Sequence, residues 1–208
     1  MSFNVDKWTK RISNRSDLTL YLSHLTRSQV INNEKLDSVG VLLQILSEGV
    51  LRGSDTQSGF ISGQQKAVCF QDTPLYGISQ NVLHEQVYRQ ELGGQVRYEA
   101  TGLMFPKHYI YGHGGRPVIY EKPEIARRLI PDKNEWWRIV AYDLSDTDRI
   151  VDWTHEREWR MKGDFKFELE KAYILLTNQS AYKKFISRAP SELIGQIGGI
   201  ICLQPSVF

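Results

Sequence analysis

Cysteine is scarce: 208 residues hold two, Cys69 and Cys202. Two thiols make no disulfide framework, and without a C-x-x-C pair or a Cys/His cluster there is no structural zinc site. Long apolar runs are missing too. None approaches the roughly 20 residues that a membrane span requires. The first fifteen residues carry four basic side chains but no apolar segment behind them, so they do not read as a secretory signal. The expectation is a cytoplasmic protein with no membrane partner. An excess of one charge is also lacking. Lys plus Arg is 26 and Asp plus Glu is 24, a net +2. That balance argues against a chain built to coat nucleic acid, while leaving room for local basic segments: Lys7, Lys10, Arg11 and Arg15, and Arg116, Lys122, Arg127 and Arg128. No repeat, low-complexity tract or Pro/Gly/Ser linker divides the sequence. Residues 1–208 are read as one domain.

What is present is a globular composition, 41% hydrophobic and 24% charged, rich in tyrosine and tryptophan. Residues 18–22 are β-prone and predict a strand ending at or near His24. Across 34–49, Leu36, Val39, Leu42, Leu43 and Leu46 follow helical spacing, and Gly49 stands where a helix stops. Residues 50–65 read as a long surface loop and 67–70 as a buried strand. Asp72-Thr73-Pro74 reads as a turn or helix start. A helix is expected over 78–92, and strands over 96–104 and 117–120 flank a glycine-rich segment. Helices follow at 123–129 and 133–141. Strands are expected at 150–152, 156–161, 172–177 and 197–203, with a short helix over 180–187. One strand and helix followed by many strands is an α+β order.

The densest polar cluster is Trp153-Thr154-His155-Glu156-Arg157-Glu158-Trp159-Arg160. As a continuous strand, it sets Glu156, Glu158 and Arg160 on one face and turns Trp159 into the core. Two carboxylates so spaced suit a site where one stabilises a cation and the other binds a hydroxyl. The plainer alternative is a solvated edge strand with a Glu–Arg ladder. A zincin helix is excluded because position 159, where the second His belongs, is Trp. His24 and Thr26 lie two apart and face one side of their strand. A lone His beside an apolar strand is more often a core group. Glycines 112, 114 and 115 match neither GxGxxG nor the Walker pattern.

In order along the chain come His24-x-Thr26, Leu42-x-x-Ile45-Leu46-x-x-Gly49-x-Leu51, Val68-Cys69-Phe70-x-Asp72-x-Pro74-Leu75, Gly115-Arg116-Pro117-Val118-Ile119-Tyr120 and Glu156-Arg157-Glu158-Trp159-Arg160. This series resembles the AbiGi-type abortive-infection family, over roughly residues 20–180. The first block also resembles the DarT-like ADP-ribosyltransferases. The resemblance implies an ADP-ribosyltransferase-like fold: α+β, with two packed, mostly antiparallel sheets, short helices, and NAD+ as substrate in a cleft. It implies Glu158 as the catalytic glutamate, Glu156 orienting the acceptor, and His24 and Thr26 on the NAD+ side. The aromatic that the resemblance implies beneath nicotinamide is Tyr109, Tyr111 or Tyr120. No metal is called for. The implied activity is mono-ADP-ribosylation of a macromolecule by a toxin or phage-defence effector, with DNA or RNA weighed slightly ahead of protein and an antitoxin as a further partner. The alternatives are a non-catalytic nucleotide- or nucleic-acid-binding module of the same fold and, less favoured, a Mg2+ nuclease using Glu156 and Glu158.

Overall fold

The structure, a computed structural model, describes residues 2–31, 33–91 and 99–204. It is an α+β protein with a mixed set of strands and several helices. The chain falls into two compact units with interleaved segments. One comprises 1–50, 73–106 and 167–208, and the other 51–72 and 107–166.

In the first unit, strand Tyr21–Thr26 runs antiparallel to Thr101–Pro106, pairing His24 with Leu103 and Thr26 with Thr101. Thr101–Pro106 runs antiparallel to Tyr173–Leu176. Tyr173–Leu176 and Gly199–Cys202 run parallel. A parallel pair needs a crossover. The chain supplies it with helices Gln179–Arg188 and Ser191–Gln196, the second of which the sequence reading did not foresee. Gly102 permits the closest strand approach, since a Cβ there would press into the carbonyl oxygen of His24.

Helix Ser38–Glu48 begins where the Asp37 side chain accepts from the Gly40 N–H and ends at Gly49, whose φ of 63° suits glycine. Its buried face is Val39, Val41, Leu42 and Leu46. Residues 34–36, expected inside this helix, instead pair as a short strand with Gln29–Ile31. The next helix is Leu75–Val87, starting earlier than expected. It sets Ile78 and Val82, one turn apart, against Met104 and Leu175 in the core. Helix Val5–Ser13, also unforeseen, starts on an Asn4 cap.

In the second unit, strand Glu158–Lys162 lies antiparallel to Ala67–Gln71 on one side and Arg116–Pro117 on the other. Ile119–Glu121 and Ile139–Ala141 form a parallel pair. Helix Pro123–Leu129 appears where Pro123 signals its first turn. Residues 133–138 make a 3-10 turn that leads into strand 139–141, which corrects the single helix expected over 133–141. At 150–152 there is only an isolated bridge between Val151 and Asp143. The segment expected to be loop carries a strand at Val50–Leu51 and a 3-10 turn at Thr56–Ser58. Strand Thr101–Pro106 answers the one expected over 96–104, of which 96–98 lie outside the described residues.

Candidate functional site

The Glu156–Arg160 cluster is not one strand. Residues 154–156 form a 3-10 turn, Arg157 takes a left-handed conformation with φ 45°, and the strand begins only at Glu158. The left-handed residue breaks the period-two alternation. Glu156 is therefore half-buried in the turn, and the face expected for it belongs to Glu158 and Arg160 alone. The turn is held by Asp152, whose side chain accepts from the N–H and hydroxyl of Thr154.

Glu158 and Arg160 lie on one face of the strand, 7% and 3% exposed. Arg160 Nε donates to Glu158 Oε1 at 2.7 Å, and Nη2 donates to Oε2 at 3.2 Å. Nη1 donates to the carbonyls of Trp137 and Ile139 at 2.9 and 3.2 Å. Nη2 donates also to the Phe60 carbonyl at 3.0 Å. All five guanidinium N–H groups have acceptors. This buried pair replaces the solvated ladder of the plainer reading. Burial pulls the Arg160 pKa down, but the charge and hydrogen bonds of Glu158 outweigh it and hold it above the ordinary value.

Cys69 stands opposite Arg160 in register. Burial, reinforced by the neighbouring Glu158 carboxylate, pushes its thiol pKa up, so it is a poor thiolate. Tyr120 approaches from Ile119–Glu121, and its hydroxyl accepts from the Glu158 backbone N–H at 2.7 Å. Burial raises the phenol's pKa, so it remains a neutral hydroxyl.

The three candidate aromatics separate. Tyr120 is tied to the backbone of Glu158. Tyr109 packs edge-on against Phe165, with His113 on its ring. Tyr111 is 54% exposed. The Arg116 guanidinium lies over its ring, 3.9 Å from the centroid, fixed by the carbonyls of Tyr111 and Gly115. Trp159 meets Tyr111 edge-on at 6.5 Å. Trp159 is half-buried, which corrects the expectation that it points into the core. In that register the buried face carries the charged pair, and the aromatic occupies the opposite one.

His24 and Thr26 belong to the other unit. His24 is half-buried in its strand. The Thr26 hydroxyl is buried within hydrogen-bond distance of the carbonyls of Ser38 and Thr101, at 3.2 and 3.1 Å. Its single proton is shared between them, joining the strand to the start of helix Ser38–Glu48.

The same unit holds a cleft of about 320 Å³ that the sequence reading missed. Asp37, Ser38, Thr101, Thr177, Asn178 and Lys184 are among its lining. Two helix starts open on it. The Asn178 side chain caps one by accepting from the Ala181 N–H, as Asp37 caps the other. Lys184 Nζ lies 2.7 Å from Asp37 Oδ2, and that bond chiefly lowers the Asp37 pKa. The legible signal was the Asp and Asn ahead of two helices. Arg160 was also missed as a hub, although Glu-x-Arg on a strand already puts the two side chains on one face.

No family model, curated protein or solved structure matches this chain.

Among the described residues, no group of three or more His, Cys, Asp or Glu side chains is gathered to hold a metal, and no helix is long and apolar enough to cross a membrane.

Proposed function

We propose that the chain is an NAD-dependent mono-ADP-ribosyltransferase with an ADP-ribosyltransferase-like fold. It acts in the cytoplasm as a toxin or phage-defence effector on a macromolecule, nucleic acid ahead of protein. The sequence resemblance supports this reading. The observation that carries it is the Glu158 carboxylate, nearly closed off from water and fixed in orientation by Arg160.

Loss of nicotinamide from the ribose of NAD+ breaks the C1′–N bond with its electron pair going to nicotinamide, and a nucleophile of the acceptor then bonds to C1′. What the chain supplies is a fixed charge. A carboxylate held before the reaction does not have to reorganise as the ribose becomes cationic, and preorganised groups of this kind contribute about 10²–10³ in rate. Each Glu158 oxygen accepts one Arg160 N–H, and a carboxylate oxygen has two lone pairs. The Cys69 thiol also hydrogen-bonds the Glu158 side chain, so of the four acceptor positions one is left for a ribose hydroxyl. Tyr120 holds the strand at the residue that bears the carboxylate.

A second reading is a non-catalytic nucleotide- or nucleic-acid-binding module of the same fold. The observation favouring it is again the side-on Arg160, whose charge offsets that of Glu158 and gives the pair a purely structural use.

The deciding experiment measures nicotinamide release from NAD+ and labelling of a cell lysate, for the natural protein, Glu158→Gln and the double variant Glu158→Gln/Arg160→Met. The transferase reading expects release by the natural protein and a loss of about a hundredfold or more in both variants, with NAD+ affinity nearly unchanged. The double variant, which leaves no lone buried charge, separates loss of chemistry from loss of folding. NAD+ binding without any release by the natural protein supports the second reading. Full activity in folded Glu158→Gln defeats the first.

A further inference from the structure

Helix Val5–Ser13 divides by face. At 100° per residue, Val5, Trp8, Thr9 and Ile12 share one side, and Lys7, Lys10 and Arg11 the other. Trp8, Thr9 and Ile12 are half-buried, whereas Lys7, Lys10 and Arg11 are exposed. Arg15 beyond the helix is paired with Asp17. Among the described residues, none of Lys7, Lys10 and Arg11 makes an ion pair. The ring of Phe3, 43% exposed, lies beneath the Arg11 guanidinium at 5.4 Å.

The first fifteen residues hold four cations (Lys7, Lys10, Arg11, Arg15) against one carboxylate, Asp6, a local +3. The chain totals +2, so the rest of it carries −1. The positive charge of the protein is thus concentrated on this segment. Three unpaired cations within about 6 Å of helix length present a dense positive stripe beside an exposed ring. Proteins that hold single strands combine cations for phosphates with an aromatic face for a base. A lipid surface would demand the apolar side of the helix, and here Trp8 and Ile12 on that side are already half-covered, leaving Val5 as its one exposed apolar residue, too little to insert.

We propose that Lys7, Lys10, Arg11 and Phe3 form a docking surface for single-stranded nucleic acid, the cations on its phosphates and Phe3 with Arg11 against a base. This deepens the proposed nucleic-acid preference of the transferase. It is tested without NAD+, so its failure is distinct from failure of that reading.

The probes are fluorescent polythymidylate and polyuridylate strands of about 20 nucleotides, enough for one or two binding sites of this kind. Binding is titrated by anisotropy at several salt concentrations for the natural protein, Lys7→Gln/Lys10→Gln/Arg11→Gln, Lys10→Gln and Phe3→Ala. Each phosphate neutralised on a single strand steepens the fall of log affinity with log salt by about 0.7. The triple variant is expected to flatten the slope by about 2, so that between 50 and 200 mM salt the natural protein loses about fifteenfold more affinity than the variant. Lys10→Gln should flatten it by about 0.7, and guards against any loss of folding in the triple variant. Phe3→Ala should lower affinity at every salt while leaving the slope unchanged. Different affinities for the two probes, checked against polydeoxyuridylate, which shares its base with one and its sugar with the other, would tell DNA from RNA as the occupant. Absence of oligonucleotide binding by the natural protein at 50 mM salt, or slopes that are the same for the natural protein and both charge variants, overturns the proposal. So does binding to phosphatidylserine vesicles alone.

Discussion

Replacing Arg160 by Met tests what holds the second unit together. Met keeps much of the length and apolar stem of Arg but removes all five donors. Three backbone carbonyls, those of Phe60, Trp137 and Ile139, then lose a partner, and Glu158 stays 7% exposed without its counter-charge. Breaking a buried pair by removing one partner costs about 3–5 kcal/mol, mostly because the remaining charge is stranded. In a chain of 208 residues each kcal/mol shifts Tm by about 2–4 °C. The expected fall is about 6–20 °C, read by differential scanning calorimetry or by far-UV circular dichroism on heating. Glu158→Gln strands the guanidinium instead and should cost a similar amount. The double variant should recover part of the loss, because no lone charge is left inside. Its stability should exceed the sum of the single effects by about 2 kcal/mol, within the range found for residues in one network. An Arg160→Met protein melting within 2 °C of the natural one would refute the reasoning, since a loss under about 1 kcal/mol means that water, not Arg160, satisfies Glu158.

Gly102→Ala should separate strands Tyr21–Thr26 and Thr101–Pro106 where the new methyl meets the His24 carbonyl. An overpacking cost of about 1–3 kcal/mol is expected in chemical denaturation, and hydrogen exchange at His24 and Leu25 should quicken. Asp143 is held down to about 2 by the hydroxyl and N–H of Ser145 and by Lys122. Because its folded pKa lies below the ordinary 3.8, its stabilising effect is present above pH 4 and is lost as pH falls through 2. Carbon-detected NMR titration should show its carboxyl still ionised at pH 3, and a midpoint near 4 would contradict the ladder of bonds. Thr26→Val, similar in shape, should remove the hydroxyl that joins Ser38 to Thr101 and lower stability by about 1 kcal/mol without moving NAD+ affinity, if Thr26 serves the fold alone.

Local chemistry determined several elements. Asp37 and Gly49 bracket helix Ser38–Glu48, Pro123 opens helix Pro123–Leu129, and apolar runs at 67–70 and 173–176 make strands, all because caps, fixed φ and burial act over a few residues. The α+β class followed from their order. The placement of Glu158 and Arg160 on one face was also legible, from the spacing of two alone. Glu156 was not. An alternating Glu/Arg segment reads as strand, and only the left-handed Arg157 turns the chain between the two glutamates. The parallel pairing of Tyr173–Leu176 with Gly199–Cys202 was likewise hidden, since it rests on a two-helix crossover. The sharpest case is Arg160. Its acceptors sit at positions 60, 137, 139 and 158. Only position 158 is linked to it by a local pattern; the desolvation cost of the buried guanidinium is otherwise met by the carbonyls at 60, 137 and 139, which only the folded chain brings together.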